Sequence, residues 1–416
     1  MANAVSASFA EIWAREMQVM DFVTNVWKPQ ANFRLEKELK GGDLIRRQYR
    51  SRPVAGSYTR GSDVSLNTLT HTSETLTVDT TPYIAFYISD LDELQSTPSS
   101  RQDHTRDAVE YMQNIINGHY TAEVANAGST VDAADVGGTA GNGIDVDVTN
   151  IDKLFTIAMK RLGRNNVFNY KAGQSPFAAN LTPDLYQILL ERIAGRESIL
   201  GDKLSENGHS GMYMGFDLFV HNAGYWTGRL DLSVLPVDGD TLVFKVADQT
   251  ITVTFLDTMA ATAGSVHIAS TVDITRANLV EFLNAPGTTE AEATDTGYTA
   301  FSNDHQSYLY GLTATNDNSN DRMTLTWRGV GAPIVSETFS SASNVWKDGL
   351  NISQNLFTRK GAVDMVLQRY PKIQIDRDPD RIEENIIKIF SLFGKKTYAD
   401  GARRMVNVKV DTTSYT

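Results

Sequence analysis

The sequence predicts an α+β protein, and three segments carry this prediction. Residues 101–126 have apolar side chains at three- and four-residue steps, a spacing typical of an amphipathic helix. Residues 44–90 are rich in Thr, Ser, Val and Tyr and are expected to form extended strands. The segments DTLVFKV (240–246) and TITVTF (250–255) alternate apolar and polar residues around a short turn, which predicts a β-hairpin.

Each predicted helix has a recognisable apolar side or start signal. The stripe of the 101–126 helix consists of Val109, Met112, Ile116 and Tyr120. A second helix is expected to begin after Asn150, which can cap it, and a third after Thr182, with Pro183 at its first position. Residues 9–23 also show helical spacing of apolar side chains.

The strands are expected in both halves of the chain. Residues 75–78 and 84–88 are predicted as two strands around Pro82. Near the C-terminus, the segment GAVDMVLQRYPKIQI (361–375) is predicted as a helix, followed by long strands with a turn at Ala399–Gly401.

Composition narrows the class of protein. The chain has 416 residues, enough for two or three compact units, and contains no cysteine, which excludes disulfides and thiol chemistry. No secretory segment is visible in the first thirty residues, and no run approaches the roughly 20 apolar residues of a membrane span. We therefore expect a soluble protein that folds in a reducing bacterial cytoplasm.

The negative charge is concentrated in one segment. The net charge is -12, and fourteen acidic but only four basic residues lie between Asp231 and Val345. The segment contains several alternating strands and a short helix near residues 276–284. We expect residues 231–345 to form a β-rich inserted module that folds by itself and projects outward, because such charge disfavours contact with DNA.

A search for catalytic and ligand-binding motifs finds none. HExxH, GxxxxGK[ST] and GxSxG are absent, and the seven histidines are scattered. His209 and His221 are better interpreted as turn or surface residues than as metal ligands. The glycine-rich segment 138–143 lacks the flanking strand and helix of a phosphate loop, and is expected to be a flexible connection. No enzyme activity, cofactor or metal is predicted.

The order of the elements resembles that of the major capsid proteins of tailed double-stranded DNA bacteriophages, whose fold is named after phage Hong Kong 97. Four segments carry the resemblance, and no one of them is a strict signature. They are GGDLIRRQYRSR with the β-rich TLTVDTTPYIAFYISDLDELQ, the long helix after Arg101, NGHSGMYMGFDLFVHNAG, and KIQIDRDPDRIEENIIKIFSLFGKKTYADGARRMVNVKV.

The resemblance implies a division of the chain into the parts of that fold. The expected parts are an N-terminal arm (1–43), an extended E-loop with flanking strands (44–90), a peripheral domain with a spine helix (91–147), an axial domain (148–230 and 346–378) interrupted by the inserted β-rich module (231–345), and peripheral-domain strands with the C-terminus (379–416).

The resemblance also implies function and partners. The chain would assemble with itself into the pentamers and hexamers of an icosahedral or prolate shell around packaged DNA, formed in the bacterial cytoplasm and ending in the virion. A separate scaffolding protein, a portal protein and a decoration protein are the other expected partners, and a membrane is not one. Residues 41–90 contain no lysine that could form the interchain isopeptide bond of some relatives, so a non-covalent shell is expected.

Subunit contacts are expected through two charged groups. One is the arginines of the E-loop and the other is the run at 376–381, which is also open to interpretation as a cation site or a solvated turn. The candidate interface residues are Arg46, Arg47, Arg50, Arg52, Arg60, Asp376, Arg377, Asp378, Asp380 and Arg381.

Three alternatives remain at this stage. An encapsulin-like protein compartment would share the fold, although such proteins are shorter and lack a large acidic module. A glycan-binding or adhesin-like surface β protein is suggested by the Thr-, Ser- and Tyr-rich strands, but the helical third of the chain and the missing secretion signal disfavour it. A hydrolase would need a carboxylate pair that no spacing in the sequence supports.

Overall fold

The computed structural model describes most of the chain. The described residues are 27–37, 39, 42–50, 53–64, 66–89, 100–165, 167, 177–195, 211–246, 249–259, 262–293, 295–377 and 384–411. The helix predicted at 9–23 lies outside them.

The described residues contain six α-helices, and the sequence predicts the four near residues 101–126, 150, 182 and 276–284. Their bounds are α1 Ser100–Thr121, α2 Ile151–Arg164, α3 Pro183–Ala194, α4 Val272–Asn284, α5 Asn303–Tyr308 and α6 Ala399–Ala402, with short 3-10 helices at Arg34–Lys37, Ala122–Asn126, Ala133–Val136 and Asn318–Asn320. The predicted stripe of α1 is confirmed, because Met112, Ile116 and Tyr120 are buried.

Two small sheets come from the first and last parts of the chain. An antiparallel ribbon is formed by β1 Leu44–Arg50 and β2 His71–Thr77. A three-stranded antiparallel sheet has the order β18–β19–β3, with bounds β3 Tyr83–Ser89, β18 Asp364–Arg377 and β19 Glu384–Lys396. Helix α1 packs on this second sheet, where Met112 joins Ile387 and Ile389 in one apolar cluster.

The remaining strands form two larger sheets. The five-stranded sheet has the order β13–β12–β11–β10–β16, with β10 Thr241–Val246, β11 Gln249–Leu256, β12 Ser265–His267, β13 Tyr298–Thr299 and β16 Ile334–Glu337. The ten-stranded sheet has the path β14–β15–β9–β17–β6–β8–β7, with β20 beside β17 and with β4 and β5 parallel to β20. Its bounds are β4 Ser129–Val131, β5 Ile144–Asp145, β6 Phe177–Leu181, β7 Met212–Tyr213, β8 Phe216–Val220, β9 Ala223–Asp231, β14 Leu312–Asp317, β15 Arg322–Val330, β17 Val345–Arg359 and β20 Met405–Asp411.

The helix predicted at 361–375 is wrong, because this segment forms the strand β18. Pro371 lacks the N–H that a helix interior requires, and the pairing of β18 with β19 shifts register on both sides of Arg369, so that the proline lies in an irregular part of the ladder. Met365, Val366 and Leu367 are all buried in succession, which shows that both faces of the strand are covered there. A continuous apolar run of this length does not distinguish a covered strand from a helix.

The acidic module is not self-contained. The predicted β10–β11 hairpin is confirmed, but β15 pairs with β9 over nine residues and so joins the module to the large sheet. Its apolar core also includes Trp226, Leu230 and Leu350, which lie outside the expected boundaries of 231–345. The module therefore grows out of the sheet of the flanking segments and shares a core with them.

The described part of the expected arm folds back onto the chain's own body. Trp27 and Leu39 are buried. The side-chain amides of Gln30 and Asn180 exchange two hydrogen bonds, of 2.7 and 3.0 Å, in the interior. Residues 27–37 and 39 are thus fixed against the strands and α1 and are not extended away from them.

Candidate assembly surfaces

The base of the β1–β2 ribbon is tied to the body of the subunit by charged side chains. Arg47 lies 3.0 Å from Asp400 and 3.7 Å from Asp364, and its guanidinium lies 5.0 Å from the centre of the Tyr398 ring. On the opposite strand, Glu74 accepts a hydrogen bond of 3.1 Å from the N–H of Ala399. Because Arg47 and Glu74 are paired in register, both strands of the ribbon are held at the same level.

Arg47 therefore makes its contacts within the subunit. Burial raises the pKa of Asp364, and the charge of Arg47 counteracts this effect. Of the other predicted interface arginines, Arg46, Arg50 and Arg60 are exposed, and Arg52 lies outside the described residues.

The second predicted charged group lies at the far end of β18. Asp376 accepts hydrogen bonds from Gln374 and from Lys388, and these bonds lower its pKa. Arg377 is exposed and faces Asn385 in the ladder, whereas Asp378, Asp380 and Arg381 lie outside the described residues. Twelve strand residues separate Asp376 from Asp364, a span of about 40 Å at roughly 3.3 Å per residue. One subunit therefore does not bring the two predicted groups together.

The ribbon's connecting loop exposes several large apolar side chains, none of which was among the predicted interface residues. Leu66 is 92% exposed and Val54 is 72% exposed, and three further large side chains are more than half exposed: Tyr58, Val64 and Leu69. The signal was present in the sequence as isolated large apolar residues in a polar stretch. Large apolar side chains that are exposed on a loop are stabilised when another surface covers them, so this loop is a candidate contact with another chain.

A second exposed surface lies on the three-stranded sheet. Along β3, Ile84, Phe86 and Ile88 face the α1 side, while Tyr83 and Tyr87 point to the opposite side and are 76% and 60% exposed. Ile373 and Ile375 on the edge strand β18 are also exposed, but they pair with Ile389 and Ile387 and therefore lie on the α1 face of the sheet. An edge strand with unpaired backbone groups and apolar side chains is a typical site for contact with another chain.

A buried polar cluster joins α1 to β19. Lys395 lies 3.2 Å from Glu123 and donates a hydrogen bond of 2.8 Å to the backbone oxygen of His119, and Thr397 donates one of 2.6 Å to Glu123. Burial by itself would raise the pKa of Glu123, but Lys395 and the hydrogen bonds from Thr397 and Asn126 outweigh it, so the pKa lies below its usual value. These groups satisfy one another and stabilise the packing of α1 on β19.

His119 itself is buried in an apolar environment. Burial, together with the charges of Arg328 and Lys395, lowers its pKa to about 2. Its ring packs edge-on against Phe393, with the centroids 5.2 Å apart. The neutral imidazole therefore serves as a packing group at this position.

The described part of the chain offers no sign of a metal centre or a membrane span. No three His, Asp or Glu side chains within it lie close enough to hold a metal ion. None of the helices found there is long and apolar enough to cross a bilayer. His221 is buried at the end of β8, and His209 lies outside the described residues.

The fold has relatives among solved structures, although no protein-family model and no curated protein matches the sequence. A structure from Mycobacterium phage Che8 matches with a TM-score of 0.57 and 11% identity, and the alignment covers 97% of this chain and 98% of that one. The chain therefore shares its fold with this phage structure. The capsid of cyanophage P-SCSP1u (TM-score 0.49, 12% identity, 98% and 94% covered) and the mature capsid of bacteriophage PhiM1 (0.48, 8%, 97% and 92%) are also similar.

Proposed function

We propose that this protein is a major capsid protein that assembles into the pentamers and hexamers of an icosahedral or prolate shell enclosing double-stranded DNA. The observation that carries the proposal is the ribbon β1–β2, because its base is anchored in the subunit while its loop exposes large apolar side chains. In a closed ring, such a loop meets a different surface on the neighbouring subunit. The exposed side of β3 and the edge of β18, which lie on opposite faces of the three-stranded sheet, each provide an apolar surface of the kind this loop needs.

The parts of the Hong Kong 97-type fold are assigned to the chain on the same basis. The ribbon corresponds to the E-loop (44–90), α1 to the spine helix of the peripheral domain (91–147), and β19 with β20 to the returning strands near the C-terminus (379–416). The α2, α3 and β6–β8 region, with β17, corresponds to the axial domain (148–230 and 346–378), into which the module (231–345) is inserted. Residues 1–43 correspond to the arm, of which 27–39 are packed on the subunit.

The proposed role is structural and not enzymatic, and it places the protein in the virion after assembly in the bacterial cytoplasm. The other proposed partners are a separate scaffolding protein, a portal protein and a decoration protein. Charge supports an outward position for the module, since its fourteen acidic residues would be repelled by packaged DNA at close range.

The experiment replaces apolar side chains of the E-loop and measures assembly. The variant Val64→Asp/Leu66→Asp places two charges where the proposal needs apolar contact, and Ile334→Asp is the control, since Ile334 is 65% exposed but lies in the module. With scaffolding protein present, wild type and control should form shells visible by electron microscopy, while the E-loop variant should sediment as small species and keep its circular dichroism spectrum. A wild-type protein that stays monomeric at every concentration and salt tested, with scaffold present, would contradict the proposal.

A further inference from the structure

A cleft with excess positive charge lies at the C-terminal end of α2. It has a volume of about 440 Å³, and its walls include Ser129, Asp135, Lys160, Arg161, Arg164 and Asn165. Helix α2 presents its apolar side to the core through Leu154, Phe155 and Ala158. Its opposite side is therefore the one that carries the exposed cations.

The charges of the cleft do not balance within the subunit. Arg161 is neutralised, because its guanidinium donates to both carboxylate oxygens of Asp135, at 2.5 and 2.6 Å, and also to the backbone oxygen of Thr130. Lys160 and Arg164 are exposed on either side of this pair, and neither forms an ion pair with a carboxylate of the described residues. Two cations thus remain available on a chain whose net charge is -12.

The cleft also contains an unused hydrogen-bonding group. The Ser129 hydroxyl is inaccessible to solvent and has no hydrogen-bond partner among the described residues. Leaving a buried hydroxyl unpaired costs about 1–3 kcal/mol, and part of this free energy would be recovered if the Ser129 side chain rotated to meet an acceptor in the cleft. At the rim, the Asn165 amide donates a 3.0 Å hydrogen bond to the backbone oxygen of Arg403.

We propose that this cleft binds a phosphate group, and that in the particle the phosphate belongs to the backbone of the packaged DNA. The second clause rests on the proposed capsid function. A phosphate supplies several strong acceptor oxygens, which suits an ammonium, a guanidinium and a hydroxyl that converge without a carboxylate to balance them. Lys160 and Arg164 are the binding cations, Ser129 donates from the wall, and Asp135 holds Arg161 in place.

The spacing of the cations along α2 favours a repeating polyanion over a single acidic side chain. Lys153 is exposed seven residues before Lys160, on nearly the same side of the helix. Seven residues correspond to about 10 Å along the helix axis. Successive phosphates of one DNA strand advance by about 3.4 Å along the DNA axis while winding around it, so one backbone presents phosphates at short, regular steps to both lysines.

The experiment measures binding of a short fluorescent DNA duplex to the full-length protein by anisotropy at several salt concentrations. The variant Lys160→Gln/Arg164→Gln removes the two binding cations, and Arg34→Gln/Lys245→Gln is the matched control, since it removes one arginine and one lysine that are exposed elsewhere. Each phosphate contact contributes about 0.9 to the slope of log K against log salt. The slope of the cleft variant should therefore be smaller by about 1.8. Its loss of affinity relative to wild type should be roughly tenfold smaller at about 200 mM salt than at about 50 mM salt. The control should keep the wild-type slope.

A second measurement distinguishes the two sources of phosphate. Inorganic phosphate, compared with chloride at equal ionic strength, should raise the melting temperature of wild type and of the control but not of the cleft variant or of Ser129→Ala. If phosphate shows this pattern while the DNA slopes of both double variants are equal, the cleft binds a free anion and the DNA assignment is overturned. If the cleft variant instead loses only self-association, the cleft contacts an acidic surface of another copy and the whole proposal is overturned. Shell formation by the wild type tests the capsid function separately, since these binding measurements do not require it.

Discussion

Replacing Arg276 by leucine should unfold part of the acidic module, because this guanidinium is buried and joins three separate segments. Arg276 lies in α4 and is fully inaccessible to solvent. It donates a 2.6 Å hydrogen bond to the backbone oxygen of Leu232, a 2.8 Å bond to Asn316 and a 3.2 Å bond to Asn318, and it forms an ion pair with Asp273. The module's entry strand, helix and β14–β15 turn therefore meet at one side chain.

The size of the effect follows from which partners can return to water. Asp321 is a further partner of Arg276, at 3.7 Å from the guanidinium. Its side chain and that of Asp273 are more than half exposed, so both carboxylates can be hydrated again when the arginine is removed. The backbone oxygen of Leu232 and the amide of Asn316 are less accessible, and each unpaired group costs about 1–3 kcal/mol. With the loss of packing around the long side chain, we expect Arg276→Leu to lower the free energy of unfolding by about 3–5 kcal/mol.

Arg322→Leu provides the matched control, since it also removes an arginine that contacts the β14–β15 turn. Arg322 pairs with Asp317 at 2.9 Å, but both side chains are about one-third exposed, and pairs of this kind contribute roughly 1 kcal/mol or less. Urea unfolding followed by the fluorescence of the buried Trp226 and Trp327 measures both free energies. Limited proteolysis at residues 316–321 should become fast only in Arg276→Leu. Equal losses in the two variants would refute the reasoning.

Three further outcomes are expected. His119 has a pKa of about 2 in the folded state and near 6.5 in the unfolded state, so the unfolded state binds more protons between these values. The free energy of unfolding should therefore fall by about 2 kcal/mol from pH 7 to pH 5. In His119→Phe the urea midpoint should change less over this range, and an identical change would contradict the assignment. Arg47→Gln should speed amide hydrogen exchange in β1 and β2, whereas the exposed Arg46→Gln should not; equal rates would show that the ion pairs with Asp364 and Asp400 do not hold the ribbon. Assembled particles boiled in detergent should release single chains of 45.9 kDa, and a ladder of covalent oligomers would contradict a non-covalent shell.

Local signals in the sequence predicted most elements but not their partners. The α1 stripe and the Pro183 start of α3 were correct because these signals act within one helix. The predicted cap at Asn150 was right in position but not in chemistry, since its side chain accepts from the N–H of Asp147 instead of a helix N–H. The β18 segment was assigned wrongly because its apolar run is covered by parts of the chain far away in sequence.

The candidate surfaces depended still more on tertiary structure. Arg46 and Arg47 could not be distinguished from the sequence. Neighbours on one strand point to opposite faces, and of these two only Arg47 contacts Asp364 and Asp400. The helical spacing in the sequence indicates that Lys153, Lys160 and Arg164 lie opposite the apolar side of α2 and are exposed. What could not be read was that Asp135 neutralises only the arginine between them.

The way the module is attached changes how it can act on the rest of the subunit. Strand β15 pairs with β9, and the backbone oxygen of Arg328 on β15 lies against Gly118 of α1, where an added Cβ would approach the Arg328 side chain to 3.4 Å. Helix α1 also packs on β19 through Met112, so it contacts both the ten-stranded sheet that contains β15 and the three-stranded sheet. A module with its own separate core could move or be removed without affecting α1. Here the shared core and the close contact at Gly118 couple the position of the module to that of α1, the helix proposed as the spine of the capsid subunit.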